Sequence, residues 1–424
     1  MKLLYVSQYF PPEMGAPAAR AAELARHWVR DGHVVSVLTG FPNHPTGVVP
    51  PEYRARLRRL VCREVVDGID VKRTWLWPLP NRRPLERMAN YASFCLSASL
   101  SGLWVRRPDV IIGTSPQLLV ALSAYWLARM KRVPFVFEVR DLWPESLSAV
   151  GVGGDSGLLN RTLGAIAGFL YRKADHIVVV TEAFRIHLIK KWNVPAEKIS
   201  VVENGVEPEL FAPVDASELK AELGLDGKFV VCYIGTLGMA HGLGTLVDAA
   251  AKIVPLLPDV RFLVVGEGAE KQAIVDRARS RGLENIVFLD QQPREKIPAL
   301  ISAADVCAVL LKKTEVFQTV IPTKMLEFMS CRRPVILGVD GQARELLERA
   351  RAGVFIEPEN ADALVNAVTL LRAQPELCAS LGQNGRHFVQ QNLSRQRTAR
   401  AYIEVLNALL HGRTKEAIAL RAAS

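Results

Sequence analysis

The stretch around residue 320 reads Phe317-Gln-Thr-Val-Ile-Pro-Thr-Lys324-Met-Leu-Glu327-Phe-Met-Ser330, and Pro334-Val-Ile-Leu337 follows it. This pattern predicts a loop that carries a lysine, then a helix, then a short buried strand. A helix N-terminus attracts phosphate, because unpaired N–H groups meet the positive end of the helix dipole there. Lys324 adds a full charge, and Glu327, about one turn further on, can accept hydrogen bonds from ribose hydroxyls. The stretch indicates a nucleotide-linked substrate, although a glutamate in a first helical turn often only compensates the dipole.

Length and composition indicate a folded chain with an anionic partner. The 424 residues are 49% hydrophobic and 23% charged, which is typical of a globular protein with about two or three domains. Lysine and arginine total 53 against 43 acidic residues, a net charge of +10 that favours nucleotide phosphates, nucleic acid or an anionic membrane surface. The basic residues are not interleaved with aromatic residues, as on a surface that binds single strands. We therefore expect no nucleic-acid partner.

The cysteines and the N-terminus are typical of a cytoplasmic protein. The six cysteines are dispersed without a CxxC pair, which fits a reducing compartment. Met1-Lys-Leu-Leu-Tyr-Val reads as a strand before a Pro-Pro turn and not as a signal peptide. Residues 88–105 are mostly apolar and are flanked by arginines at 82, 83, 87, 106 and 107, but they include four serines and an asparagine. We expect a buried or surface-docked helix there rather than a membrane span.

Short apolar runs alternate with helical patterns along the whole chain, which predicts parallel sheets covered by helices on both faces. A polar stretch with prolines, 204–226, separates two such series. We predict an α/β fold of two Rossmann-like domains, 1–208 and 209–391, with a helical tail, 392–424, that packs back onto the first. The predicted strands are 3–7, 34–39, 69–74, 110–113, 135–139, 176–180 and 199–202 in the first domain, and 229–234, 261–265, 286–289, 306–310, 335–337 and 354–356 in the second.

An ordered set of motifs runs along nearly the whole chain. It comprises Pro11-Pro-x-x-Gly15, Asn204-Gly-Val, Tyr233-Ile-Gly-Thr with His241-Gly-Leu, Val265-Gly-Glu-Gly268 and the stretch around Lys324. Each motif is weak alone, but their order and spacing together resemble the family 4 retaining glycosyltransferases of the GT-B fold. Phe137-Glu-Val-Arg-Asp-Leu-Trp-Pro144 further resembles the subgroup that builds bacterial surface polysaccharides, including L-fucosamine transferases of O-antigen and capsule assembly.

The resemblance implies two facing domains that transfer a sugar from a nucleotide diphosphate donor with retained anomeric configuration. It implies that the C-terminal domain holds the nucleotide, that the N-terminal domain holds the acceptor, and that the site lies in the cleft between them. Gly15 would approach the diphosphate with its backbone, since it has no β-carbon, and Glu327 would bind the donor ribose. We expect the nucleotide sugar to be bound by Gly15, Thr236, His241, Gln291, Pro322, Thr323, Lys324, Glu327 and Glu345.

The sequence departs from the family's pattern at four positions. The usual first glutamate of the motif stands as Thr319, the usual arginine and lysine after the first strand of the second domain stand as Thr236 and His241, and the usual histidine after the fifth strand stands as Arg140. We expect Lys324 and Arg140 to replace the missing phosphate-binding cations. The candidate catalytic residues are therefore Arg140, Asp141, Thr319 and Lys324.

Structural interpretations of the same residues remain open. Arg140 and Asp141 could form an ion pair that orders a loop, and Glu138 could simply neutralise Arg140. Thr319 could be structural, and His241 could be the neighbour of a helix cap. Glu345 could lie in the first turn of a helix without further use.

The reaction predicted from these residues needs no metal ion and no cofactor. No Asp-x-Asp pair occurs in the chain, whereas metal-dependent transferases often hold a divalent ion with such a pair. We expect fixed cations and helix N-termini to stabilise the charge that develops on the departing diphosphate. The resemblance implies that a departing phosphate oxygen accepts the proton of the acceptor hydroxyl.

The expected partners follow from the same resemblance. They are a donor with uridine as the base, carrying an N-acetylated amino sugar or a deoxy sugar, and a glycan acceptor linked to polyprenyl diphosphate. The basic excess and the apolar segments 89–105 and 158–171 predict peripheral contact with the anionic inner face of the plasma membrane.

Three other functions compete with the transferase. A nicotinamide dehydrogenase is excluded, because the turn after the first strand has one glycine where GxGxxG would be required. A nucleotide-sugar epimerase of GT-B fold stays as an alternative, although it needs no acceptor surface such as the apolar, basic segment 82–107. A non-catalytic subunit that binds sugar nucleotides also stays, since the family's standard cations are missing.

Overall fold

The computed structural model describes residues 1–44, 47–79, 84–146 and 157–422. The chain forms two compact units: the first comprises Met1–Glu203 and Arg395–Ser424, and the second comprises Asn204–Ser394. Arg82 and Arg83, part of the basic group predicted beside the apolar segment, lie outside the described residues.

The first unit is built on a sheet of eight strands in the order β3-β4-β2-β1-β5-β6-β7-β8, in which only the pairing of β3 with β4 is antiparallel. Because β1 and β5 lie side by side at its centre, the direction of winding reverses there. Its elements are β1 Lys2–Val6, α1 Ala16–Arg30, β2 Val34–Gly40, α2 Pro51–Leu57, β3 Val61–Val66, β4 Ile69–Thr74, α3 Pro84–Ser101, β5 Val110–Thr114, α4 Leu118–Lys131, β6 Phe135–Val139, α5 Leu158–Lys173, β7 His176–Val179, α6 Glu182–Trp192 and β8 Ile199–Val201.

The second unit is built on a parallel sheet of six strands in the order β11-β10-β9-β12-β13-β14. The winding reverses between β9 and β12, so the loops after these two strands meet at the carboxyl edge. Its elements are α7 Ser217–Glu222, β9 Phe229–Ile234, α8 Gly244–Ile253, β10 Val260–Val265, α9 Lys271–Ser280, β11 Ile286–Leu289, α10 Ile297–Ser302, β12 Val306–Leu310, α11 Thr323–Ser330, β13 Val335–Gly338, α12 Gln342–Ala350, β14 Gly353–Phe355, α13 Ala361–Ala373 and α14 Pro375–Asn392.

The last helix, α15 Arg395–Ala422, packs on α1 of the first unit, as predicted for the tail. The indole N–H of Trp28 donates to the carbonyl of Ala399 at 3.0 Å. Arg395 and Glu23 form a buried ion pair at 2.8 Å. The Trp28 and Tyr402 rings meet edge to face with their centroids 5.3 Å apart. A buried ion pair whose geometry depends on both helices fixes their register.

The division between the units differs by a few residues from the predicted one. Residues 204–208 were assigned to the first domain and 392–394 to the tail, but both segments belong to the second unit. Val206 forms a bridge with Ser394, and its N–H donates to the carbonyl of Leu393 at 3.0 Å. Val206 and Leu393 are buried in the core of the second unit, so burial of apolar side chains sets this boundary.

The continuous apolar runs predicted as strands are the strands of the two sheets, with ends that agree to within one or two residues. Strand β3 was not predicted. It pairs antiparallel at the edge of the sheet, and its side chains alternate between half-buried and exposed positions, so it lacks the apolar run typical of a covered strand. Within the described residues no helix combines the length and the hydropathy needed to cross a bilayer.

Candidate functional site

Helix α11 places two of the predicted residues at the carboxyl edge of the second sheet. It begins at Thr323 after Pro322, and no side chain caps its N-terminus. Lys324 is its second residue, and Glu327 lies in its second turn, so the first turn carries no acidic residue. Glu327 therefore does not have the position of a residue that merely compensates the dipole, and the N-terminus keeps its positive end.

Lys324 begins a chain of polar contacts within this edge. Its Nζ donates to the hydroxyl of Tyr233 at 2.8 Å and lies 4.0 Å from the centroid of the Tyr233 ring. The Tyr233 hydroxyl donates in turn to the carbonyl of Thr236 at 2.9 Å. Burial lowers the pKa of Lys324 to about 7, although the Glu327 carboxylate acts in the opposite sense. The lysine is therefore poised to gain full charge when an anion binds.

Glycines bring two loops close to this lysine. A β-carbon on Gly235, which follows β9 with φ +145°, would lie 2.9 Å from Lys324 Nζ. A β-carbon on Gly266, which follows β10 with φ +148°, would lie 1.9 Å from the carbonyl oxygen of Gly235. No other residue allows this approach at these backbone angles, so the motifs around Tyr233 and Val265 have a direct steric reason.

His241 does not supply the cation that is missing from the motif. It ends a 3-10 turn, Met239–His241, and its Nδ1 lies 3.3 Å from the carbonyl oxygen of Leu310. Burial, together with the nearby charge of Lys324, lowers the pKa of His241 to about 3. The imidazole is therefore neutral near pH 7, and Thr236, exposed in the same loop, is uncharged.

Glu327 is oriented by an arginine that sequence reasoning did not find. Nη1 of Arg294 lies 3.1 Å from Glu327 Oε1, and the Arg294 guanidinium carbon lies 4.8 Å from the centroid of the Phe211 ring. Arg294 belongs to a 3-10 turn after β11, and Gln291 is half-buried in the same loop. The ion pair joins residues 33 positions apart, with no motif around Arg294 to signal it.

Thr319 and Glu345 have local hydrogen bonds in the same unit. The Thr319 hydroxyl donates to the carbonyl of Val316 at 2.6 Å within the 3-10 turn Val316–Thr319. Glu345 is exposed in the first turn of α12 and accepts from the side chain of Gln342 at 2.8 Å. Both therefore have structural contacts of the kind that their structural interpretations predicted.

In the first unit Gly15 is the N-cap of α1, with φ 133° and ψ 159°. The first turn of α1 carries no acidic residue, and no side chain caps it. A β-carbon on Gly15 would have only Pro17 Cδ, at 3.8 Å, as a neighbour within 4 Å. The backbone angle selects glycine here, and the space beside it is open to a ligand.

Arg140 follows β6 and is directed at the same helix end. Its Nη2 donates to the carbonyl of Ala16 at 3.3 Å, and its backbone N–H donates to Ser115 Oγ at 2.7 Å. Its Nε and Nη1 are buried and have no hydrogen-bond partner in the described part of the chain. Burial lowers the pKa of Arg140, but a guanidinium stays charged in a protein. Two unpaired donor nitrogens on a cation are costly when they are buried, unless an anion accepts from them.

The acidic neighbours of Arg140 are engaged elsewhere. Glu138 is fully buried and pairs with Arg20 at 3.0 Å, and it accepts from the hydroxyl of Tyr5. Burial alone would raise the pKa of Glu138, but Arg20 and then Arg140 hold it below its usual value. Asp141 accepts from the Ser146 hydroxyl and from Trp143 Nε1, and burial raises its pKa. Among the described residues Arg140 forms a hydrogen-bonded ion pair with neither carboxylate, although its charge acts to lower the pKa of both and Glu138 in turn favours the charged guanidinium.

The described residues hold no group of three or more His, Cys, Asp or Glu side chains arranged for a metal ion.

Comparisons with known proteins match each of the two units to its own family model. Residues 15–205 match the family model described as glycosyl transferase 4-like domain, and residues 215–388 match the one described as glycosyl transferases group 1.

Relatives of this chain include transferases of similar length. A glycosyl transferase of Escherichia coli K12 that is named for colanic acid biosynthesis, WcaI, is 26% identical over 420 residues, which cover 95% of this chain and 99% of the relative. The structure of HepE from Anabaena, in complex with UDP and glucose, is 21% identical with a TM-score of 0.72 over 96% of this chain and 99% of that one. The structure of the sucrose-phosphate synthase of Thermosynechococcus elongatus is 21% identical with a TM-score of 0.77, over 97% of this chain and 99% of that one. The chain belongs to the family 4 glycosyltransferases and has the GT-B fold.

Proposed function

We propose that this glycosyltransferase moves a sugar from a UDP-linked donor to a lipid-linked glycan, with retained anomeric configuration, in the synthesis of a bacterial surface polysaccharide. One observation carries the proposal: Lys324 lies in the first turn of a helix that no side chain caps, one turn before the oriented carboxylate of Glu327. This arrangement combines a site for phosphate with a site for ribose on a single short helix.

Lys324 and the N-terminus of α11 bind the donor diphosphate in this proposal. An ammonium group has three N–H donors, of which one is directed at Tyr233 in the structure. A phosphate anion favours the charged form and raises the pKa of Lys324 from about 7 when it binds. The cation is then fully charged at the stage when the departing diphosphate gains negative charge.

Glu327 accepts hydrogen bonds from the ribose hydroxyls. Its carboxylate is oriented by Arg294 at 3.1 Å and is only 14% exposed. A carboxylate held in this way loses little conformational entropy when a ligand binds. Arg294 acts as a positioning residue in this proposal, because its guanidinium holds the Glu327 carboxylate.

Arg140 contacts an anionic group of the substrates in the first unit. Its Nε and Nη1 are buried without an acceptor among the residues that the structure describes, and its Nη2 donates to the carbonyl of the first residue of α1. A phosphate beside Gly15 would satisfy both the arginine and the uncapped helix. Arg140 thereby takes the role of the cation that is absent from the standard position of the family.

The transfer requires no nucleophile from the protein, because the bonds and the proton are accounted for by the two substrates. The bond between the anomeric carbon and the departing phosphate oxygen breaks, and a bond from the acceptor oxygen to that carbon forms on the same face. The proton of the acceptor hydroxyl passes to the departing phosphate oxygen. The cations stabilise the charge that develops on the departing phosphate. In other enzymes, removal of one such preorganised donor lowers kcat by about 10²–10³-fold. No divalent ion is required.

The comparisons support the choice of donor and pathway. HepE was solved with UDP and glucose, and WcaI is named for the synthesis of a surface polysaccharide. Both are similar to this chain over nearly its whole length, which favours uridine as the base and a cell-surface glycan as the product.

Purified protein tests this function with UDP-sugars labelled in the sugar and with lipid-linked acceptors extracted from a bacterial membrane. A labelled lipid-linked glycan with the donor's anomeric configuration, formed equally well with excess EDTA, is the expected result. A free epimerised donor would favour the epimerase, and binding without either product would favour the non-catalytic subunit. An inverted linkage or complete loss of activity with EDTA would contradict the proposed mechanism.

The proposal includes peripheral docking to an anionic membrane through the end of α3 and the following 3-10 turn, Gly102–Trp104. Four apolar side chains follow one another there at helical spacing and are exposed: Leu96 at 68%, Leu100 at 61%, Leu103 at 37% and Trp104 at 70%. Nζ of Lys131 donates to the carbonyls of Leu103 and Val105, and Arg63 donates to the carbonyl of Trp104. An apolar edge beside basic side chains is typical of an interfacial helix.

Helix α5, the second apolar segment that was expected to dock, contributes less to this surface. Its residues Leu163, Ala167, Leu170 and Tyr171 are buried, and the ring of Phe169 packs edge to face on Tyr125 of α4. Flotation with anionic vesicles at low and high salt tests the docking. Leu100→Glu should reduce the floating fraction several-fold, whereas Leu256→Glu, which changes a leucine of similar exposure in the second unit, should not. Equal flotation of the two variants would contradict the proposed surface.

A further inference from the structure

A cavity of the second unit lies at the opposite edge of the sheet from Lys324. Its volume is about 460 Å³, within the range of sites that bind small molecules, about 300–1,000 Å³. It is lined by the first residue of β9, Phe229, by Asp305, which immediately precedes β12, and by Arg333, which lies two residues before β13. Because these strands are parallel, the cavity lies at their amino ends and cannot belong to the donor site.

Positive charge dominates the polar lining of this cavity. Arg332, Arg333 and Arg372 line it, with Asp305 as the only carboxylate among the lining residues. Arg372 is paired with Asp259, which lies outside the lining, at 2.8 Å. Asp305 Oδ2 accepts the backbone N–H of Val230 at 2.7 Å. With both carboxylates counted, the arginines still exceed them by one charge.

Arg333 has unused capacity to donate. Its Nη2 donates to the carbonyl of Ser302 at 2.7 Å, which holds the guanidinium in place. Its Nε is buried and has no hydrogen-bond partner within the described residues. A buried N–H of a cation without an acceptor is unfavourable, and this arginine is one of the residues that line the cavity.

The helices that border the cavity do not oppose an anion. The backbone N–H groups of Cys331, Arg332 and Arg333 donate to the carbonyls of Glu327, Met329 and Phe328, so the negative end of α11 is largely satisfied. Helix α14 begins at Pro375, and Pro375, Cys378 and Ala379 of its first turns face the cavity. Its N-terminus carries a positive partial charge, which the exposed Glu376 of the first turn offsets in part, although Glu376 is not among the lining residues.

The remaining walls are apolar. Phe229 and Leu371 line the cavity together with three prolines, Pro213, Pro334 and Pro375. Prolines and an aromatic ring give a wall that loses little entropy when a ligand packs on it. A ligand with an apolar or flat body and one anionic end matches this lining better than an inorganic ion alone.

We infer that this cavity, the amino-edge site, binds a small organic phosphate, with the phosphate on Arg333 and Arg332 and the organic body against Phe229, Pro213 and Pro375. The site is separate from the donor site on α11, although it lies beyond the other end of the same helix.

Titration calorimetry with three probes tests this inference: inorganic phosphate, glucose 1-phosphate and uridine 5′-monophosphate. Each is titrated into wild type, into Lys324→Ala/Glu327→Ala and into Arg332→Gln/Arg333→Gln. We expect at least one organic phosphate to bind the wild type and the Lys324→Ala/Glu327→Ala protein with the same affinity. The double arginine variant should bind it at least tenfold more weakly, since charge-assisted hydrogen bonds are lost.

Arg279→Gln is the matched control, because it removes one exposed positive charge elsewhere in the second unit. Its affinity for the probe should equal that of wild type, and thermal melting should show that every variant is folded. Arg333→Lys, which keeps the charge, provides a milder variant if the double change unfolds the protein, and should bind several-fold more weakly than wild type. Absence of saturable binding by all three probes, or loss of binding in Lys324→Ala/Glu327→Ala instead of the arginine variants, would overturn the inference.

Discussion

The two units carry their candidate phosphate-binding cations in opposite electrostatic states. In the second unit Lys324 donates to Tyr233, and burial lowers its pKa to about 7. In the first unit Arg140 is charged, and two of its buried donors have no partner among the described residues. A lysine can relieve the cost of burial by losing its proton, whereas an arginine cannot. The second unit therefore has a charge that depends on pH and on the ligand, and the first has a permanent charge that requires an anion.

Removal of either cation is expected to have the largest effect. Lys324→Ala and Arg140→Ala should each lower kcat by about 10²–10³-fold, the loss measured when one preorganised donor to a developing charge is removed. Lys252→Ala, which removes an exposed lysine paired with Asp362, should change kcat less than twofold, since exposed pairs contribute little. Initial rates at saturating donor and acceptor measure these effects.

The comparison between the cations becomes sharper with the conservative exchanges. In Arg140→Lys the ammonium group is a point charge and cannot place two donors as the planar guanidinium does. We therefore expect this variant to recover only a small part of the activity that is lost in Arg140→Ala. If Arg140→Lys had the kcat of wild type, the fork geometry of Arg140 would not matter, and the contrast between the two units would reduce to charge alone.

The fold was largely predictable from sequence, because apolar runs and helical periods are local signals. Strands β1, β2 and β4 to β14 all correspond to predicted runs, since strands covered on both faces read as continuous apolar residues. β3 was missed because it lies at the edge of the sheet, where half-buried and exposed side chains alternate along the strand and no continuous apolar run marks it. The boundary was displaced because the pairing of Val206 with Ser394 joins residues far apart in sequence.

The site was predictable only where a motif places its residues on one element. Lys324 and Glu327 lie on one helix, as their spacing indicates. Arg294 and Arg20 could not be identified, because their partners Glu327 and Glu138 are 33 and 118 positions away. The direct partner of Glu138 could not be foreseen for the same reason, because Arg20, which no motif marks, forms the ion pair at 3.0 Å. Long-range pairing of charges depends on the packing of the fold, which no local pattern contains.

Loss of the ribose carboxylate is expected to have the next largest effect, and mainly on binding. Glu327→Gln should raise the KM for the donor about 10- to 100-fold, because hydrogen bonds to a charged group are worth about 1.5–3 kcal/mol. Arg294→Gln should raise it less, since Glu327 would keep its charge but lose its orientation. Glu348→Gln, which changes an exposed carboxylate paired with Arg344, is the control. A fall in kcat without a change in KM would assign Glu327 to chemistry rather than to donor binding.

The pH dependence tests the difference in pKa directly. With a pKa of about 7 for Lys324 in the free protein, kcat/KM should fall about tenfold per pH unit on the alkaline side of pH 7. The same group should make folding more stable as pH rises from about 7 to 10.5, because the unfolded chain then binds a proton that the folded chain has lost. Activity and this contribution to stability thus change in opposite directions over that range.

Rate profiles and urea unfolding at several pH values check both effects. Lys324→Gln, which has no titrating group at that position, should lose the alkaline decrease in its residual kcat/KM, whereas Arg140→Ala should keep it. A profile for Lys324→Gln that still falls above pH 7 would assign the titration to another residue, and would contradict a difference in pH dependence between the two cations.

The smallest effect is expected at Thr319, because its side chain is neutral and its hydroxyl donates to a backbone carbonyl of the same turn. Its hydroxyl donates to Val316 at 2.6 Å, in contrast to the unpaired donors of Arg140. Thr319→Val keeps the branched shape and removes the hydroxyl, which should lower stability by about 0.5–1.5 kcal/mol and change kcat less than about threefold. Thr319→Ser, which keeps the hydroxyl, should match wild type in both respects. A fall in kcat of tenfold or more in the valine variant, with the serine variant active, would show that the hydroxyl acts on the substrate, and would return Thr319 to the catalytic residues beside Lys324 and Arg140.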